Sequence, residues 1–168
     1  MLIENVKDCL ILLSPLIICF ATSGICKIKK TSGSNVIFRP PSWIFGIVWA
    51  ILFILLGLSF LICVKKNEKF SNKEDSIKEF IKPNVINILS YIIYICIIIS
   101  LASWIIIYGC FNDKISALYI FIPIFMFTFM GLCIGNTLSK ILLCPLIAWL
   151  IFATLLSTQE LHNSSKHK

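Results

Sequence analysis

Histidine is nearly absent from this chain, and the two it has, His162 and His167, lie at its end. Charge is absent over long stretches. Cys9 to Ile25, Trp43 to Val64, Val85 to Tyr108, Ile115 to Ile134 and Ile141 to Leu156 hold no Asp, Glu, Lys, Arg or His. Ionisable groups inside a membrane mark proton relays and ion paths, so these runs argue against a charge-coupled pump. They also lack a general base, or a nucleophile with a partner, so no catalytic residue is assigned. The eight cysteines include no CxxC pair and no His at zinc spacing, which argues against a metal site and a disulfide framework. Cys9, Cys19, Cys26, Cys63, Cys96, Cys110, Cys133 and Cys144 read instead as small apolar packing residues. No internal repeat suggests an inverted-repeat transporter.

What remains is grease. The 168 residues are 58% hydrophobic with a mean hydropathy of +0.95, too apolar for a water-facing shell. A helical span needs roughly 20 apolar residues, and the five runs have about that length. The expected fold is all-α, a bundle of five transmembrane helices in one domain over residues 1–168. Ala21, Thr22 and Ser23 could precede a leader cleavage site, but Glu4 and Asp8 spoil the positive n-region, so the first run reads as a retained helix. The net charge of +7 sits outside the runs. Basic residues divide almost evenly between the two sides, so the positive-inside rule sets no orientation. Lys65 to Asn84 mixes both signs and ends near Pro83, which predicts a flexible loop; no nucleic-acid partner is expected. The short third and fourth connections make the last three spans antiparallel neighbours. The tail, residues 158–168, is polar and predicted to fray.

Two stretches are shaped beyond the needs of spanning. In RPPSWIFGIVWAILFILLG, Arg39 to Gly57, helical winding places Gly46, Ala50 and Gly57 within about 40 degrees of one another, with Trp43, Trp49 and Phe53 on the same side. Small residues allow close approach and aromatic ones supply flat walls. The prolines fix an extended entry, with Ser42 available as N-cap. In CPLIAWLIFATLLS, Trp149, Phe152 and Leu156 share a face flanked by Ala148 and Ala153, and Pro145 is placed at the helix start. The third run adds Tyr94, Leu101, Trp104 and Tyr108 on one broad side. Core packing accounts for each set singly; three faces that each carry a Trp point to one aromatic-lined cavity.

At these residues the sequence resembles the TspO/MBR family of tryptophan-rich sensory proteins, translocator proteins and peripheral-type benzodiazepine receptor-like proteins. The family pattern PPxWxFGPVWTxLYxxMG is matched by Pro40, Pro41, Trp43, Phe45, Gly46, Val48, Trp49, Leu52 and Gly57. Pro145, Ala148, Trp149, Phe152, Ala153 and Leu156 match PYLAWxxFAxxLN, and Trp104 matches the Trp of LNxxWxxxFF. The chain departs from the family at Leu101 and Ser157, each in place of Asn, at Ile120 in place of Asp, and at Lys29, Lys30 and Gly33 in place of a WYxxL segment. No Tyr follows Tyr119, so a sterol-binding pattern at the end of the fifth helix is missing.

The resemblance implies a bundle, often homodimeric, whose cavity binds a tetrapyrrole such as protoporphyrin IX or haem, or another hydrophobic small molecule, in tetrapyrrole homeostasis, stress response or transport. It requires no cofactor; the tetrapyrrole is a ligand. Trp43, Gly46, Trp49, Phe53, Trp104, Tyr108, Ala148, Trp149 and Phe152 are the expected ligand contacts, with Arg39, Lys29 and Lys30 as a basic rim. Two alternatives stay open: a porphyrin-degrading membrane enzyme, and an interaction protein that keeps the fold without the pocket. The expected location is a mitochondrial outer or secretory membrane in a eukaryotic cell, or a bacterial envelope.

Overall fold

Apolar chain in lipid can satisfy its backbone only by closing its own hydrogen bonds, and the computed structural model does so in five long helices. It describes residues 5–28, 36–71 and 77–165. Helix α1 is Val6–Ile25, α2 Ser42–Ser71, α3 Ile77–Ile105, α4 Lys114–Ile134 and α5 Thr137–Ser165, and a π-helical turn, Ile106–Cys110, continues α3. No strand occurs among the described residues. Each of the five carries a stretch long and apolar enough to cross a membrane. In α2 half of that stretch is buried, and in the other four a third or less. The remaining faces, such as Ile92, Ile95 and Ile99 on α3 or Ile122, Met126 and Phe129 on α4, are apolar and exposed. Only a bilayer suits them. The chain is a multi-pass integral membrane protein.

Helix α2 lies at the centre, packed on α1, α3 and α5, while α3 also meets α1 and α4, and α4 meets α5. Leu52, Leu56 and Phe60 of α2, Ile97 and Leu101 of α3, and Leu146 and Leu150 of α5 form the heart of the core. Gly57 sets the α1–α2 distance: a Cβ there would overlap the backbone carbonyl of Leu12. Pro15, buried inside α1, has no N–H to offer the Ile11 carbonyl four residues back. Two hydroxyls take its place. Tyr94 of α3 donates to that carbonyl at 2.8 Å and Ser14 at 2.9 Å, so a proline defect becomes a helix–helix bond.

The polar segments differ from the sequence expectation. Lys65 to Asn84 was expected as a loop, yet α2 runs on to Ser71 and α3 starts at Ile77, passing through Pro83. Lys and Glu are good helix formers, and a helix already nucleated in the membrane extends cheaply into them. Pro145 lies inside α5 rather than at its start, because the helix begins two turns earlier, where Asn136 Oδ1 accepts the Ser139 N–H at 2.9 Å. Helix α2 starts at Ser42 itself, with the Pro41 carbonyl accepting from Ile44 N–H at 3.0 Å, so Ser42 is not the cap. The tail does not fray at 158: α5 continues to Ser165.

Candidate functional site

The C-terminal ends of α1, α3 and α5 and the N-terminal end of α2 converge at one end of the bundle, around a cavity of about 340 Å³. Helix α1 contributes Cys19, Phe20 and Ser23, and the α1–α2 connection contributes Ile28, Val36 and Arg39. The walls are Phe45, Gly46, Trp49 and Phe53 of α2, Leu101, Trp104 and Tyr108 of α3 and its π turn, and Ala153, Leu156, Ser157 and Glu160 of α5.

Aromatic rings run along one side without a break. Phe53 stacks on Trp49 with centroids 5.3 Å apart. Trp49 lies 6.5 Å from Trp104, which stacks almost parallel on Tyr108 at 5.1 Å. The Trp104 indole Nε1 is buried with no hydrogen-bond partner, an indole donor held beside an apolar space. At the mouth the Arg39 guanidinium sits 5.8 Å from the centroid of the Phe45 ring, a cation–π distance.

The polar end was not anticipated. Glu160 is only 3% exposed; it accepts from Tyr108 Oη at 2.7 Å and pairs with Lys114 Nζ at 2.9 Å. A carboxylate at this depth is tolerable only when paired and hydrogen-bonded. Lys114, the first residue of α4, is thus tied to Glu160. The signal was present: Glu160 follows Trp149, Ala153 and Leu156 at helical spacing, one turn past the assumed end of α5.

Of the expected contacts, Gly46, Trp49, Phe53, Trp104, Tyr108 and Arg39 line the cavity. Trp149 and Phe152 stand one layer back, Trp149 against Trp49 at 6.3 Å and Phe45 at 5.6 Å, Phe152 against Phe38 at 6.3 Å. Trp43 is 66% exposed and Ala148 is exposed on the outer side of α5; neither is part of the lining. Lys29 and Lys30 lie outside the described residues. Leu101 and Ser157 face the cavity, whereas Ile120 packs against the core. No trio of His, Cys, Asp or Glu suited to a metal ion occurs among the described residues.

The expectation that all eight cysteines are packing residues is wrong for two of them. Cys26, at the end of α1, and Cys110, closing the π turn, form a disulfide across 84 residues with Cα atoms 4.7 Å apart. Gly109 makes the approach feasible, since a Cβ there would sit 2.6 Å from the Cys26 carbonyl oxygen. Cys9, Cys19, Cys96, Cys133 and Cys144 are free thiols.

The sequence profile of the TspO/MBR family matches residues 11–161 of the chain, nearly its whole length. The chain belongs to the TspO/MBR family. A comparison with curated proteins gave no match. The match runs from the second turn of α1 to Leu161 in α5, so the TspO/MBR segment contains every lining residue of the cavity, including Glu160.

Proposed function

We propose that this TspO/MBR protein is a ligand-binding membrane protein whose cavity takes a tetrapyrrole such as protoporphyrin IX or haem, in tetrapyrrole homeostasis or stress response. The observation that carries the reading is the unbroken wall Phe53–Trp49–Trp104–Tyr108 beside a cavity of about 340 Å³. Flat conjugated ligands gain most from stacked rings. The volume falls at the lower end of the usual range for small-molecule sites, roughly 300 to 1,000 Å³. Arg39 gives the mouth a cation for a ligand carboxylate, and the Trp104 indole offers a donor inside. Glu160 is held by Lys114 and Tyr108, and Arg39 is the cation among the described lining residues. Binding suits this arrangement better than turnover, because no nucleophile–base hydrogen bond of a serine or cysteine is found among the described lining residues. A cavity of this size also favours it over a bundle that keeps only the fold.

Titration of the purified protein with protoporphyrin IX and haemin tests the reading. Saturable quenching of tryptophan emission and a shifted Soret band are expected, with Arg39→Ala weakening the free acid more than its dimethyl ester. Flat titrations with both would remove the proposal.

A further inference from the structure

Helices α1 and α2 are shut together at one level and parted at another. At Gly57 the seam is closed, because an added Cβ would overlap the Leu12 backbone. Gly46 lies on the same stripe of α2, within about 20 degrees of Gly57 at helical winding, yet an added Cβ there would meet nothing within 4 Å. Between these levels the Phe20 ring of α1 meets Phe53 of α2 edge to face, with centroids 6.1 Å apart. Phe20 borders the cavity and is nevertheless 44% exposed. Ser23 and Gly46, which also border it, are exposed as well. The opposite walls differ: Leu101 and Ile105 of α3 and Ala153, Leu156 and Glu160 of α5 are buried. The exposed border of the cavity therefore lies on its α1–α2 side.

We propose that the cavity opens sideways into the bilayer through the α1–α2 seam at Phe20 and Gly46, and that apolar ligands enter it from the hydrocarbon. Depth supports this route. Phe20 lies five residues before the end of α1, about 8 Å inside it at the helical rise, so the opening is within the membrane span rather than above it. Its surroundings suit lipid: Ile17 of α1 and Ile47 and Ile51 of α2 are exposed beside the seam, and Phe20, Ser23, Gly46 and Phe53, which border the opening, carry no charge. The Phe20 ring is the movable part. An edge-on ring pair is a weak fastening, and an exposed side chain changes rotamer quickly. The hydrophobic effect already concentrates an apolar molecule in the bilayer, so entry at this depth avoids returning it to water. The route depends on the cavity and not on which apolar ligand fills it.

Cys19 provides the probe, because it is a free thiol that borders the cavity next to Phe20 and is itself buried. The full chain in lipid nanodiscs, without tetrapyrrole, is treated either with a maleimide carrying a long alkyl chain or with a sulfonated maleimide confined to water. Peptide mass spectrometry follows each cysteine. Cys144, an exposed free thiol within α5, measures how well each reagent reaches thiols inside the bilayer. The alkyl reagent should label Cys19, and the sulfonated one should not. Phe20→Ala, which removes the ring pair, should speed the alkyl reaction about threefold or more relative to Cys144, and Gly46→Leu, which fills the seam, should slow it. If Phe20→Ala fails to fold, the parent and Gly46→Leu decide. Three results overturn the lateral route: Cys19 reacting as fast with the sulfonated reagent as with the alkyl one, Cys19 left unlabelled by the alkyl reagent while Cys144 reacts, or a rate that neither substitution changes.

Discussion

Tyr94 illustrates how one side chain can offset a defect in another helix. Its hydroxyl supplies the donor that Pro15 cannot give Ile11, and Ser14 Oγ lies 3.2 Å away. Tyr94→Phe keeps the ring stacked on Phe60 at 4.0 Å and removes only the hydrogen bond. In a membrane such bonds are worth about 0.5 to 1.5 kcal/mol, and thermal unfolding in detergent should register a loss of that size. No loss would mean that Ser14 suffices. Glu160 calls for a larger effect. Lys114→Ala removes the opposite charge from a buried carboxylate and should cost ~3 kcal/mol, most of it recovered when Glu160→Gln is added. A double-mutant cycle checks this, and additive losses would contradict the pairing.

The elements show why some features were legible and others not. Helix α2 was readable because two prolines, a long apolar run and glycines at helical spacing all point the same way. The same spacing could not separate Gly57, pressed on Leu12, from Gly46, whose added Cβ would meet nothing within 4 Å. Gly57→Leu should therefore cost ~1 to 3 kcal/mol by overpacking, while Gly46→Leu should leave stability nearly unchanged and fill the cavity. Thermal shifts that rank the two the other way would refute this placement. Trp43 was misplaced for a related reason: Ser42 and Phe45 in the same first turn of α2 line the cavity, whereas Trp43 lies on the outer side of that turn, 66% exposed. At α4 the Asp113 carboxylate accepts from Ser116 Oγ at 2.6 Å and from the N–H groups of Ser116 and Ile115 at 3.1 Å. The Ser116 hydroxyl, then those N–H groups, hold its pKa below the ordinary 3.8. A depressed pKa means that the cap's contribution is full above the ordinary value and fades as pH falls through the lowered one. Amide protection at the start of α4, relative to the intrinsic exchange rate at each pH, should thus fall in acid in the parent but stay level in Asp113→Asn.

At the scale of the whole molecule, composition alone implied the five-helix bundle, because uncharged apolar runs of span length leave lipid few alternatives. The third dimension of the site was harder to see. Glu160 was hidden by a helix that outlasts its apolar stretch, and the disulfide by a separation of 84 residues that no local pattern bridges. Topology follows from the count of crossings. Residues 71 and 165 end α2 and α5, three crossings apart, so cysteine reporters at Ser71 and Ser165 should label from opposite faces of intact membranes; labelling from the same face would contradict five spans. The central claim is that the aromatic wall is a binding surface rather than packing, and tryptophan-specific affinity loss tests it most directly. Losing a stacking partner costs on the order of 1 kcal/mol, so Trp49→Leu and Trp104→Leu should each weaken protoporphyrin IX binding about fivefold or more. Trp43→Leu, outside the cavity, should bind as the parent does. Unchanged affinity in Trp49→Leu and Trp104→Leu, with saturable binding in the parent, would place the ligand elsewhere.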